Sequence, residues 1–268
     1  MVFCQKSPKK LLRTIAAAML ILAAHDLCQT NGQAAIPEQE RNALIDLYNS
    51  TNGANWTSNT GWLGEPGTEC TWQRVQCDKE NTSVIELRLW DMNLAGTLPK
   101  TLENLTNLEH LYISSNNLSG SVPSQLGGLI AIRDLNLSYN ALYTTDNSLL
   151  SFLNSKQADW QKTQTIAPTD ISAVAQSSSS ILVSWSPVPY VSNTSRYEVY
   201  ESTTSGGPYA FAGSTHAHSA SSLLVTDLKP ATTYYFVVRA ITYPNGNNRD
   251  NTVTSEYSVV APSRTDAN

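Results

Sequence analysis

An apolar pattern that repeats every 24 residues between Val84 and Leu153 constrains this chain more than any other feature. Leu87, Leu111 and Leu135 share one position of the period, and Leu89, Ile113 and Leu137 share another. Leu94, Leu118 and Leu142 form a third set. Val84, Leu108 and Ile132 keep the same spacing, as do Leu102, Leu126 and Leu150, and Leu105, Leu129 and Leu153. Gly96 pairs with Gly120 and Pro99 with Pro123. A single unit of this kind cannot bury its own apolar face, so the pattern predicts a stacked array in which neighbours bury it for one another. Three units are near the minimum for such an array.

Each unit reads L-x-x-L-x-L-x-x-N-x-L, a short strand followed by a turn. Asn116 and Asn140 hold the polar ladder position, where a buried amide can satisfy the backbone groups of the turn. Met92 stands there in the first unit, so the ladder is expected to break at that point. The third unit carries Thr144 and Asn147 in place of the Gly and Pro. Ser151 to Pro168, with Trp160, reads as a carboxy-terminal cap.

Upstream, Pro37-Glu38-Gln39-Glu40 is a helix start, with Pro tolerated in the first turn and acids suited to the dipole. Ala43, Leu44, Leu47 and Tyr48 recur at helical spacing, and Asn52-Gly53 ends the run. Trp56, Trp62 and Trp72 follow, beside Cys70 and Cys77. Three tryptophans in a short stretch suggest a sugar site. The plainer reading is a plug for the open end of a solenoid, which otherwise exposes its core.

These residues resemble leucine-rich repeat proteins of the 24-residue class, on the strength of NLSGSVP at Asn117–Pro123. The stretch CTWQRVQC, Cys70–Cys77, is similar to the amino-terminal cap of that class, which implies a Cys70–Cys77 disulfide. The count of cysteines points the same way. Residues 1–35 read as a signal peptide, with a basic start at Lys6, Lys9, Lys10 and Arg13 and an apolar run from Thr14 to Ala24. Eleven residues are too few to span a bilayer core, which needs about 20. Cleavage is expected after Ala34 or Ala35, the alternative being an uncleaved anchor. The exported remainder keeps Cys70 and Cys77, most simply a disulfide. A metal site is the alternative, and the segment offers it only Glu69, Asp78 and Glu80.

After Pro168 the period changes to two. Ile181, Val183 and Trp185 alternate with polar residues, as do Tyr197 and Val199, and then Tyr234, Phe236, Val238 and Ala240. Turn clusters of Pro, Gly, Ser and Asn separate the runs, and a sandwich of two sheets is expected. Trp185 together with Leu228-Lys229-Pro230-Ala231-Thr232-Thr233-Tyr234 resembles a fibronectin type III domain. The likeness implies that Tyr234 forms a tyrosine corner, its hydroxyl bonding upstream backbone. The fold class is therefore a short strand-lined α/β leucine-rich-repeat solenoid followed by an all-β immunoglobulin-like fibronectin type III sandwich. The expected divisions are 1–35 for the signal peptide, 36–83 for the amino-terminal cap, 84–166 for the repeats with their cap, and 167–265 for the sandwich.

The side chains between the strand leucines face the open concave sheet. They are Glu86, Arg88, Trp90 and Asp91, then His110, Tyr112, Ser114 and Ser115, then Asp134, Asn136, Ser138 and Tyr139. Arg88, Tyr112 and Asn136 form one column, and Trp90 and Ser114 another. Trp, Tyr and Arg dominate interface hot spots. The candidate binding set is Arg88, Trp90, Asp91, His110, Tyr112, Ser114, Asn136 and Tyr139, weighed against a merely solvated sheet.

Catalysis has little support. A Ser-His-Asp set drawn from Ser114 or Ser115, His110, and Asp91 or Asp134 lacks an oxyanion hole and any exclusion of water on a flat sheet. His216 and His218 could share a strand face but would need a third metal ligand, and a loop between strands is the ordinary reading. No cofactor is implied. Losing four cations and one carboxylate with residues 1–35 shifts the formal net charge from −5 to −8. An acidic body is poorly suited to nucleic acid or anionic lipid. Seven N-x-S/T triplets occur, at Asn49, Asn55, Asn81, Asn104, Asn117, Asn136 and Asn193, and a glycan on Asn136 would obstruct the concave face. The loop Tyr243–Asn251 reads as a solvated turn, with recognition as the alternative.

The expected role is a non-enzymatic, exported binding or adhesion protein of the cell surface, envelope or periplasm, taking a protein, peptide or glycan ligand. A structural module without a private ligand is the alternative, and a glycan-acting hydrolase a more distant one.

Overall fold

A computed structural model of the chain describes residues 36–190, 192–217 and 219–267. The expected signal peptide and the His218 half of the histidine pair lie outside these residues. No helix among the described residues is long and apolar enough to cross a membrane.

Helix α1 runs Glu38–Ser50 behind Pro37 and buries Ala43, Leu44 and Leu47. Asn52, in a left-handed conformation, turns the chain out of it. Glu40 on the same face is also buried, its carboxylate accepting from Ser83 Oγ at 2.6 Å and the Val84 N–H at 2.7 Å. Helix α1 is thereby stitched to the first repeat by a charge that has found partners. Trp56, Trp62 and Trp72 are buried next to one another, with ring centroids 4.8 and 5.2 Å apart along the chain of contacts. They close the end of the solenoid core and leave no exposed sugar platform. Cys70 and Cys77 are disulfide-bonded.

The repeat strands are β1 Val75–Cys77, β2 Val84–Arg88, β3 Ala95–Gly96, β4 His110–Tyr112, β5 Asn117–Ser121, β6 Asp134–Asn136 and β7 Ala141–Tyr143. The concave sheet has the order β1-β2-β4-β6. β2, β4 and β6 are parallel, and the cap strand β1 joins β2 antiparallel. A second sheet, β3-β5-β7, follows the turns. The register reproduces the period: Leu87, Leu111 and Leu135 are partners, and so are Arg88, Tyr112 and Asn136. All the repeating apolar residues except Leu150 are fully buried in one core that runs from α1 to Trp160.

The amide ladder is present. Asn116 Oδ1 accepts from the N–H groups of Met92 and Leu94, each at 3.0 Å, while its Nδ2 donates to the carbonyls of Leu89, Ile113 and Ser114. Asn140 does the same one unit on, towards Leu118 and the carbonyls of Ile113, Leu137 and Ser138. Gly96 has a positive φ, and a Cβ there would collide with the Ser50 carbonyl at the end of α1, so only glycine lets the first turn close on the cap.

The first two units finish in 3₁₀ turns, Lys100–Asn104 and Ser124–Gly128, each entered through its Pro. The third does not. With Asn147 in place of Pro, Asp146 caps a true helix, α2 Asn147–Lys156, by accepting from Ser148 and Leu149 N–H. The change of helical pitch shifts the inward phase, so Leu149 is buried where the period points to Leu150, which is only half-buried.

The sandwich consists of β8 Thr169–Ser177, β9 Ser180–Ser186, β10 Ser195–Ser202, β11 Ala210–Ser214, β12 Ser222–Val225, β13 Thr233–Thr242, β14 Val253–Thr254 and β15 Ala261–Arg264. One sheet is β12-β9-β8, and the other is β11-β10-β13-β14 with β15 also on β13. The period-two residues form the shared core, with Trp185, Tyr197, Val199, Phe236 and Val238 buried between the sheets. Tyr234 Oη accepts from the Lys229 N–H at 2.9 Å, so the tyrosine corner is formed.

Candidate functional site

The outward positions of β2, β4 and β6 make a shallow concave surface because strand side chains alternate between faces and the inward set is leucine. Glu86 lies at its buried edge and accepts from Arg88 Nε at 2.6 Å and from a second guanidinium nitrogen at 2.8 Å. The fork holds Arg88 in place over the sheet. Trp90, at the strand's end, is 43% exposed. Arg74 sits over it, the guanidinium carbon 4.9 Å from the ring centroid. Sequence reasoning missed Arg74 because it reaches the site only through β1, which is outside the repeat.

One depression of about 370 Å³ gathers Arg88, Trp90, Asp91, Tyr112, Ser114, Ser115 and Asn136. Six of these belong to the eight residues singled out from the sequence, and Ser115 was among the concave-facing positions. Tyr112 lies between carboxylates. Burial first, then the charges of Asp134 and Glu86, push its phenol above the ordinary value.

The other two of the eight go elsewhere. His110 is drawn to Asp134, with Nδ1 to Oδ2 at 2.8 Å, and stacks beside Tyr112 at 6.2 Å. Its Nε2 faces Glu109 at 3.9 Å. Among the described residues no serine hydroxyl is hydrogen-bonded to this imidazole, and no three His, Cys, Asp or Glu side chains are placed to hold a metal ion. Tyr139 is turned against Tyr190 of the sandwich, ring centroids 5.8 Å apart.

That contact belongs to a larger one. The loop Tyr243–Asn251 leaves Pro244, Gly246, Asn247, Arg249 and Asp250 exposed, as a solvated turn would, but it buries Asn248 and Asn251 and is bonded to the repeat. Ser115 Oγ donates to the Asn247 carbonyl at 2.8 Å, and Asn251 Nδ2 donates to the Ser115 carbonyl at 2.7 Å. Nearby, Thr254 N–H donates to Asn117 Oδ1 at 3.2 Å, and the hydroxyls of Thr165 and Thr242 meet at 2.8 Å. Polar groups in the second repeat turn and the carboxy-terminal cap are thereby bonded to the sandwich. Arg249, on the return side of the loop, lines the same depression as Trp90 and Tyr112. Nothing in the 24-residue pattern signals Arg249, which comes from another domain.

The family model for leucine rich repeat matches residues 82–142, and that for the fibronectin type III domain matches residues 166–256. Among solved structures, the chain is similar to a fibronectin type III-like protein from Clostridium thermocellum, with 29% identity, 37% of this chain and 90% of that one covered, and a TM-score of 0.30. It is similar to FN3tt at 26% identity, covering 38% of this chain and 95% of that one, with a TM-score of 0.29. The PEPR1–AtPEP1 structure matches at 23% identity over 46% of this chain and 17% of that one, with a TM-score of 0.36. No curated protein matches the chain. The chain thus consists of leucine-rich repeats followed by a fibronectin type III domain, two modules typical of protein interaction and adhesion.

Proposed function

We propose that this is an exported recognition protein that binds a protein or peptide ligand in the groove over the concave repeat sheet. The observation that carries the reading is Trp90: a large ring, 43% exposed, at the edge of a depression that also holds Tyr112 and Arg88. The fold gives this ring no core to fill, while every other tryptophan of the cap and repeats is buried. Trp, Tyr and Arg in a shallow depression, ringed by serine and asparagine, have the composition of an interface centre. Export is supported by the basic-then-apolar leader and by the Cys70–Cys77 disulfide, which persists in oxidising compartments.

The test is a pull-down from extracts of the source cell surface, comparing the native chain with Trp90→Ala/Tyr112→Ala. Tyr139 is left intact because it packs on Tyr190. Both substitutions lie outside the core, so the double variant should keep its melting temperature within a few degrees. A partner captured by the native chain and lost by the folded variant supports the reading. Capture of the same set by both, or of nothing by either, sinks the concave-face reading and makes a structural module the better reading.

A further inference from the structure

We infer that the groove is a two-domain site in which Arg249 of the sandwich receives the carboxylate of a peptide ligand. The inference rests on the concave-groove reading above and names the chemistry it would recognise.

Arg249 is held where it is by a braced loop. Asn248 is 1% exposed, and its Nδ2 donates to the carbonyls of Thr242, Tyr243 and Asn251. Asn245 Oδ1 accepts from the Asn247 N–H at 2.8 Å, and Asn245 pairs with Arg249 across the turn. On either side of Arg249, Asn247 and Asn251 are the two residues bonded to Ser115. The tip is therefore fixed at both ends to the repeat. Between them Arg249, with a φ of 56°, projects over the groove without freedom to swing away with its loop.

The charges decide the ligand class. Arg88 already has Glu86 as a bidentate partner, and Arg74 lies on the Trp90 ring. Among the described residues neither Arg74 nor Arg249 has a carboxylate within ion-pair distance or a side-chain hydrogen bond, but of the two only Arg249 lines the depression, so it is the cation there left for a ligand. A guanidinium fork matches a carboxylate. A polyanion such as nucleic acid or a sulfated glycan is disfavoured, because Asp91 shares the depression and Glu86 and Asp134 lie along the same sheet. What fits is a peptide with one carboxylate next to an aromatic or apolar residue, the latter on Trp90 and Tyr112.

The experiment measures retention of two fluorescent hexapeptide pools by the full chain. Both are N-acetylated and C-amidated with random flanks, one with a central Tyr-Glu and the other a central Tyr-Gln. The Tyr-Glu pool should be retained about tenfold to a hundredfold more strongly, the range for a hydrogen bond to a charged group. Arg249→Ala should abolish that preference, and Arg249→Lys should keep part of it. Arg249 is exposed and leaves the Ser115 bonds in place, so the variant retains the fold. Equal retention of the two pools, no retention of either, a preference unchanged in Arg249→Ala, or tighter retention of heparin than of the Tyr-Glu pool would overturn the inference. A preference that survives Arg249→Ala but vanishes in Trp90→Ala sinks the role of Arg249 and leaves the groove reading standing. A preference indifferent to both variants sinks both.

Discussion

Gln164 does for Leu142 what Asn140 does for Leu118. Its Oε1 accepts from the Leu142 N–H at 3.1 Å, as Asn140 Oδ1 accepts from the Leu118 N–H at 3.1 Å, and its Nε2 donates to the carbonyls of Leu137 and Trp160. Gln164 stands one full period beyond Asn140, so the ladder runs on into the carboxy-terminal cap with a longer amide. Replacing Asn116, Asn140 or Gln164 by Ala strands a buried N–H and several carbonyls at once. Each substitution should cost about 3 kcal/mol or more in urea unfolding. Gln164→Asn should lose most of that as well, because one methylene less withdraws the amide from Leu142. A cost below about 1 kcal/mol at Asn140 would mean that the ladder is dispensable.

The disulfide closes a short loop that carries Trp72, buried between Trp62 and the rest of the cap. For so short a loop the chain-entropy argument gives about 2.5 kcal/mol. Cys70→Ser/Cys77→Ser should therefore lower stability by about 2–3 kcal/mol, while the repeats' far-ultraviolet dichroism persists below the new midpoint. Reduction of the native chain should give the same midpoint as the double variant. A loss of all cooperative unfolding would show instead that the cap nucleates the array.

How much of this was open to reading follows from where the information sits. In parallel stacked strands the register is the period, so the column of Arg88, Tyr112 and Asn136 is visible in the spacing itself. The sandwich core is visible for the same reason, because period two sorts Trp185, Tyr197 and Val238 to one side. Gln164 was visible in position but hidden by its change of residue type. What spacing does not carry is which polar turn meets which. Ser115 and Asn251 are 136 residues apart, and neither is itself a position of an apolar pattern. Their hydrogen bond anchors an otherwise exposed loop to the repeat, with Arg249 at the groove. The packing of Tyr139 against Tyr190 belongs to the same docking.

A carboxylate on the outer face of the sandwich gives the chain a pH-dependent term. Burial works against ionising Glu198, but hydrogen bonds from Tyr200, Arg239 and Arg196 outweigh it and hold its pKa below the ordinary glutamate value. A depressed carboxylate contributes stability that is present above the unfolded value of about 4.3 and lost as pH falls through the folded value. Tyr200 is shifted the other way, to about 12, by burial first and then by its bond to Glu198. Its contribution is present below about 10 and lost as pH rises towards 12. Melting temperatures of the native chain should therefore fall on both sides. Glu198→Gln should flatten the acid limb and bring one tyrosine's absorbance titration down towards 10. An acid limb unchanged in Glu198→Gln would place the sensitivity elsewhere.

The two domains are joined by small polar contacts and one aromatic pair, so their coupling should be measurable residue by residue. Tyr139→Ala and Tyr190→Ala each remove one ring of a tilted pair at 5.8 Å. A double-mutant cycle should return about 0.5–1.5 kcal/mol of coupling, the range for such pairs. Ser115→Ala removes the hydroxyl bond to Asn247 but keeps the carbonyl that accepts from Asn251, so it should cost about 1 kcal/mol. Asn251→Ala should cost more, because that side chain also bonds the Asn248 carbonyl inside the loop. Limited proteolysis at the junction near Ala167-Pro168 should accelerate in the same order. If the cycle gives no coupling and proteolysis is unchanged, the sandwich does not rest on the repeat in solution, and Arg249 has no fixed place over the groove.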